Sequence, residues 1–199
     1  MVKKGMLVEY GISNKVLSCY NSGNINGSIV MGLGAGDYVD NSYNIGEIKG
    51  KKSAAGIGEA SISRCLNKGN IISTEGIAYG IGASNIFRKP WGAISTGKIQ
   101  GKTGVYGVCN GGSSDENAEA YYLAGQLYLN DTKQADTTEA KTQEQIDIII
   151  EDTPTELDIL NSASIHPRYE DYYYWNKGNA FVSDTNNINN GYPVLKWQK

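Results

Sequence analysis

Three stretches decide how this chain folds: Cys19-Tyr20-Asn21-Ser22-Gly23-Asn24-Ile25, Ser42-Tyr43-Asn44-Ile45-Gly46-Glu47-Ile48 and Cys65-Leu66-Asn67-Lys68-Gly69-Asn70-Ile71. They are one block written three times. Their glycines stand at 23, 46 and 69, a period of 23 residues held twice. Two looser copies follow, Ile94-Ser95-Thr96-Gly97-Lys98-Ile99 and Tyr122-Leu123-Ala124-Gly125-Gln126-Leu127, each 28 residues beyond its predecessor. Added residues near 85–90 and 113–117 account for the extra length as loops.

A second block keeps phase with the first: Tyr10-Gly11-Ile12-Ser13, Met31-Gly32-Leu33-Gly34, Ala55-Gly56-Ile57-Gly58, Tyr79-Gly80-Ile81-Gly82 and Tyr106-Gly107-Val108-Cys109. An aliphatic residue follows the first glycine each time, and two residues earlier stands Tyr, Met, Ala, Tyr or Tyr. Alternation of period two is strand patterning. A unit of twenty-odd residues with short strands and Asn-Gly turns cannot close a core alone, but stacked units can.

The reading is therefore mainly all-β: a parallel β-helix, or β-solenoid, of about five coils with a small mixed C-terminal cap. Coils occupy residues 1–129 and the cap 130–199. Right-handedness follows from the general preference of parallel crossovers. Two interior ladders are expected, Ile25/Ile48/Ile71/Ile99/Leu127 and Ile12/Leu33/Ile57/Ile81/Val108. Cys19 and Cys65 would share a column two coils apart, with Ser42 between them. At about 4.8 Å per coil they lie roughly 9–10 Å apart, too far for a disulfide. Buried thiols are expected.

The 199 residues include 25 glycines, 22 of them before residue 113. Residues 1–110 carry a net charge of +6 and residues 111–199 a net charge of −9, giving −3 overall. That balance argues against nucleic acid as a partner. No run of about 18 apolar residues exists, so no membrane span is expected. Met1-Val2-Lys3-Lys4 has the charged start of a secretion signal, but the apolar run after it is too short to make one. Three cysteines without ligand spacing and a single histidine, His166, suggest no metal site.

In the last third, residues 138–150 fit a helix or a strand. Thr153-Pro154-Thr155-Glu156-Leu157-Asp158-Ile159-Leu160 reads as a short helix, with Thr153 as N-cap and Pro154 at the first helical position. It would close the last coil with Leu157 and Leu160. The acidic surplus of this third is read as a solvated surface.

No cofactor is expected. Gly32-Leu33-Gly34-Ala35-Gly36 lacks the strand-to-helix setting of a dinucleotide loop, and Thr96-Gly97-Lys98-Ile99-Gln100-Gly101-Lys102-Thr103 misses the first glycine of a phosphate loop. His166 has no spacing that specifies a triad. For catalysis the best cluster is Asp37 and Asp40, in turns beside Lys49, Lys51 and Lys52 one coil on. General acid–base chemistry needs such convergence, although charges in turns ordinarily serve solubility. The densest aromatic group is Tyr169, Tyr172, Tyr173, Tyr174 and Trp175. Tyr172, Tyr173, Tyr174 and Trp175 are the candidate contacts for a ligand or partner, because aromatic faces stack on sugars and anchor proteins. The competing role is packing over the last coil or over the glycine columns Gly32/Gly56/Gly80/Gly107 and Gly34/Gly58/Gly82.

The Gly-Leu/Ile-Gly and Tyr-Asn-x-Gly-x-Ile repeats resemble the GLUG-type repeats of bacterial cell-surface and secreted proteins. Residues 184–197, ending Asn190-Gly191-Tyr192-Pro193-Val194-Leu195-Lys196-Trp197, resemble the closing segment of such modules. The resemblance covers residues 5–129 and 155–199. It implies a non-catalytic, extracellular or cell-surface structural or adhesion module, with a glycan or a host or cell-surface protein as partner. It carries over no catalytic residues. The repeat starts in mid-block at residue 5, which fits a piece of a longer polypeptide whose solenoid would otherwise need an end cap. The alternative from another class is a carbohydrate-active β-helix enzyme, lyase-like or hydrolase-like.

Overall fold

A computed structural model of the chain describes residues 15–17, 19–34, 38–58, 61–82, 91–108, 120–146, 181–182, 184–188, 194–195 and 198. The chain climbs in coils, each crossing two sheets. The first coil runs through β1 (Lys15–Leu17) and β2 (Tyr20–Asn21) in the first sheet and β3 (Ile25–Leu33) in the second. β4 (Tyr38–Asn44) and β5 (Ile48–Ile57) form the next coil, and β6 (Ser61–Asn67), β7 (Ile71–Ser73) and β8 (Ile77–Ile81) the third. β9 (Trp91–Ser95), β10 (Ile99–Gly101) and β11 (Gly104–Val108) follow, then β12 (Ala120–Leu123) and β13 (Leu127–Leu129). β14 (Thr132–Lys133) turns back antiparallel on β13, and β15 (Ala140–Lys141) adds to the first sheet beside β12. β16 (Phe181–Val182) and β17 (Val194–Leu195) form a separate antiparallel pair.

Parallel pairing from coil to coil makes this a parallel β-helix, with about three turns instead of five. The difference lies at the ends. Only the coils of β4–β5, β6–β8 and β9–β11 carry the whole repeat in regular form. Before them the first-sheet strand is broken into β1 and β2; after them β13 is followed by the reversal into β14.

The expected ladders are in register. Ile25 pairs with Ile48, Ile48 with Ile71, Ile71 with Ile99 and Ile99 with Leu127. Leu33, Ile57, Ile81 and Val108 pair likewise; Ile12 lies outside the described residues. Ile48, Ile57, Ile71, Ile81 and Ile99 are fully buried. Cys19 and Cys65 are buried thiols without a disulfide, and the Ser42 hydroxyl between them accepts the Cys19 N–H at 3.0 Å.

A polar ladder runs beside the aliphatic ones. Asn21 Nδ2 donates to Asn44 Oδ1 at 2.7 Å, Asn44 Nδ2 to Asn67 Oδ1 at 2.8 Å, and Asn67 Nδ2 to the Ser95 hydroxyl at 3.0 Å. Each asparagine spends its second amide hydrogen on the glycine carbonyl two residues ahead, at 2.9–3.1 Å. A buried amide left without partners is costly, so this column fixes the register with hydrogen bonds as the isoleucines do with volume.

Glycine is required where coils touch. A Cβ on Gly46, Gly69 or Gly97 would fall on the carbonyl of the glycine one coil below, well under the 3.0 Å that real Cβ atoms respect. Gly34, Gly58 and Gly82 have φ of 53°, 37° and 90°, the left-handed region that favours glycine, just past the ends of β3, β5 and β8. The column Gly32/Gly56/Gly80/Gly107 faces inward, against Asn44, Asn67, Ser95 and the Tyr122 ring. What it admits is the opposite sheet.

The last coil departs from the aligned repeat by one residue. Ser95 pairs with Tyr122 while Ile99 pairs with Leu127, so the corner between them has one residue more than its predecessor. Gly125, with φ 76°, takes up the insertion. Tyr122 thereby turns inside as the top of the asparagine column, its hydroxyl accepting the Thr137 N–H at 2.7 Å.

Of the segment 138–150, residues 147–150 lie outside the described residues; the described part, 138–146, holds both β15 and a helical turn at 143–146. Thr142 and Gln145 cap it reciprocally, Gln145 N donating to Thr142 Oγ1 and Thr142 N to Gln145 Oε1. The short helix expected at 153–160 lies outside the described residues.

Candidate functional site

Strand alternation gives each sheet an outward face, and the two faces differ. On the first sheet the outward column is Tyr20, Tyr43, Leu66, Ile94 and Tyr121. Tyr43, Leu66 and Ile94 are nonetheless almost wholly buried, and Ile146 packs with them. Gln198 donates a hydrogen bond to the Tyr43 hydroxyl. Among the described residues, Ile146 and Gln198 therefore lie over this face.

Burial pushes the Tyr43 phenol up to about 12, the Gln198 bond opposing the rise. Burial likewise lowers Lys68, with Asp184 opposing. The unfolded tyrosine ionises near 10.0 and the folded one near 12, so stability from Tyr43 is complete below pH 10 and lost as pH rises to 12. The loss expected, allowing for solvent screening of the phenolate, is about 1–2 kcal/mol. Urea unfolding from pH 9 to 12 should show this decline, and Tyr43→Phe should remove most of it; an equal decline in both proteins contradicts the assignment.

On the second sheet one outward column is Met31, Ala55, Tyr79 and Tyr106, with the two tyrosine rings stacked at 5.3 Å. A second is Asn26, Lys49, Ile72, Gln100 and Tyr128. Lys49 is exposed, and Lys98 lies 4.5 Å over the Tyr128 ring. Beside this column Lys51 pairs with Glu75 of the next coil at 3.4 Å, and Gln100 donates to Asp131 at 2.6 Å.

Tyr172, Tyr173, Tyr174 and Trp175 lie outside the described residues, as do Asp37 and His166. The described members of the carboxylate–lysine cluster stand on different sheets of one coil rather than in turns one coil apart. Asp40 stands in β4 of the first sheet, whereas Lys49, Lys51 and Lys52 stand in β5 of the second, within the same coil. The corner 45–47 turns the chain between them, and all four are strand residues rather than turn residues. Among the described residues no group of three or more His, Cys, Asp and Glu is placed to hold a metal ion. No described helix is long and apolar enough to cross a membrane.

No protein-family model matches the chain, and no curated protein or solved structure matches it either.

Proposed function

We propose that this chain is a non-catalytic structural and adhesion module of a larger bacterial surface or secreted protein, a spacer of the GLUG-repeat kind with a glycan or a host or cell-surface protein as partner. The observation that carries this reading is the continuity of the interior. Aliphatic and asparagine ladders pass from coil to coil in register, so each coil supports the next. A rod built this way holds its ends apart and presents flat sheet faces along its length.

The partner contact is assigned to Tyr172, Tyr173, Tyr174 and Trp175. Glycan-array and protein-array binding, repeated with Tyr173→Ala and Trp175→Ala, tests it. Loss of a bound ligand in both variants is the expected result; binding unchanged in both removes the aromatic assignment. Polysaccharide turnover that depends on Asp37 or Asp40 would replace this reading with that of a carbohydrate-active β-helix enzyme.

A further inference from the structure

We propose that the outward face of the second sheet, around β5 and β10, is a docking surface for an acidic polysaccharide lying along the solenoid axis. The proposal rests on the reading of the chain as a binding module, and it adds a face and a ligand chemistry that the aromatic group does not supply.

The argument begins with where the lysines fall. Lys49, Lys51 and Lys52 lie on β5, and all three are exposed. Lys98 and the exposed Lys102 flank β10 two coils further on, because β5 pairs with β7 and β7 with β10. The backbone bonds agree: Glu75 N donates to Lys51 O, and Lys102 N to Gly76 O. Cations therefore recur on this face at a two-coil interval of roughly 9–10 Å.

The nearby carboxylates do not cancel them. Glu75 is paired with Lys51, which leaves Glu47 and Asp131, the latter hydrogen-bonded to the neutral Gln100 amide, against Lys49, Lys52, Lys98 and Lys102. The acidic residues Asp136, Glu139 and Glu144 belong to the segment that has left this sheet after β14.

A polymer with regularly spaced carboxylates is the occupant that matches. In an extended 1,4-linked uronate chain alternate carboxylates recur at an interval comparable with two coils. Gln100 and the Tyr128 ring stand in the same column as Lys49, where they can meet hydroxyls and a pyranose face. A nucleic-acid duplex fits less well, since its phosphates, about one charge per 1.7 Å of axis, are far denser than cations spaced two coils apart.

The test is affinity for polygalacturonate at low salt, measured by calorimetry on the whole chain, with fully methyl-esterified polymer and double-stranded DNA in parallel. The expected result is binding to the acidic polymer alone, weakening as salt rises. The triple variant Lys49→Gln/Lys52→Gln/Lys102→Gln should bind roughly tenfold more weakly. These side chains are exposed, so its melting temperature should match that of the parent. Lys141→Gln on the first sheet should leave affinity unchanged. Absence of polygalacturonate binding, equal binding to the esterified polymer, or full affinity in the triple variant overturns the proposal. DNA binding of equal strength and equal sensitivity to the triple variant overturns the choice of ligand. Failure here is distinguishable from failure of the adhesion reading, because Tyr173→Ala and Trp175→Ala should leave polygalacturonate binding intact.

Discussion

Asn44→Ala is expected to destabilise the protein by about 3–5 kcal/mol, seen as a fall in Tm on the order of 10 °C. The side chain is fully buried and makes three hydrogen bonds: it accepts from Asn21 and donates to Asn67 and to the Gly46 carbonyl. Truncation leaves the Asn21 amide without its acceptor and the Asn67 carbonyl oxygen without its donor, both in the dry interior. Each orphaned group costs about 1–3 kcal/mol, and the cavity adds to that. Asn26→Ala is the control, since Asn26 is exposed on β3 and its loss should stay within about 0.5 kcal/mol. Urea denaturation of the two variants decides the matter. Equal stabilities would mean that water satisfies the column and that the ladder contributes little.

Gly69→Ala should be at least as damaging, at about 4 kcal/mol or more, with loss of soluble protein as the first sign. The new methyl would meet the Gly46 carbonyl from below and Asn44 Nδ2 at 2.7 Å, so neither backbone nor ladder can give way without separating two coils. Gly104→Ala offers the contrast. There the nearest atoms are the Ile77 side chain at 3.3 and 3.4 Å and the Tyr106 ring at 3.4 Å, and a change of about 1 kcal/mol is expected. Thermal melts of both proteins measure the difference; similar melts would show that the glycine column tolerates expansion.

The part of the fold carried by exact repetition was legible before any coordinates. Ile25, Ile48, Ile71 and Ile99 sit at matching places in matching blocks, and parallel stacking converts sequence period directly into vertical alignment. The asparagines at 21, 44 and 67 were equally visible, but periodicity does not say that an amide points inward to bond its own copies. Sequence aligns the last coil by matching Gly125 to Gly97, whereas backbone pairing puts Tyr122 opposite Ser95. A one-residue corner insertion has no signature apart from its hydrogen bonds. The helical turn at 143–146 had a signal that the reading of 138–150 as helix or strand does not use, the capping-box spacing Thr142-x-x-Gln145. The candidate site was less legible than the fold. Aromatic density singled out Tyr172, Tyr173, Tyr174 and Trp175, yet density does not distinguish a binding face from a packing one. The lysine face arises only when residues 49–52 and 98–102, distant in sequence, are stacked two coils apart.

The reversal of β14 onto β13 has a consequence for assembly. A parallel ladder offers its last strand as a template, and an identical molecule could continue it end to end without limit. Here that seat in the second sheet is taken by two residues running the opposite way, both exposed and one of them the charged Lys133. A newcomer would find antiparallel polarity and a cation where it needed a matching strand, so parallel continuation of β13 is closed off by the chain's own return.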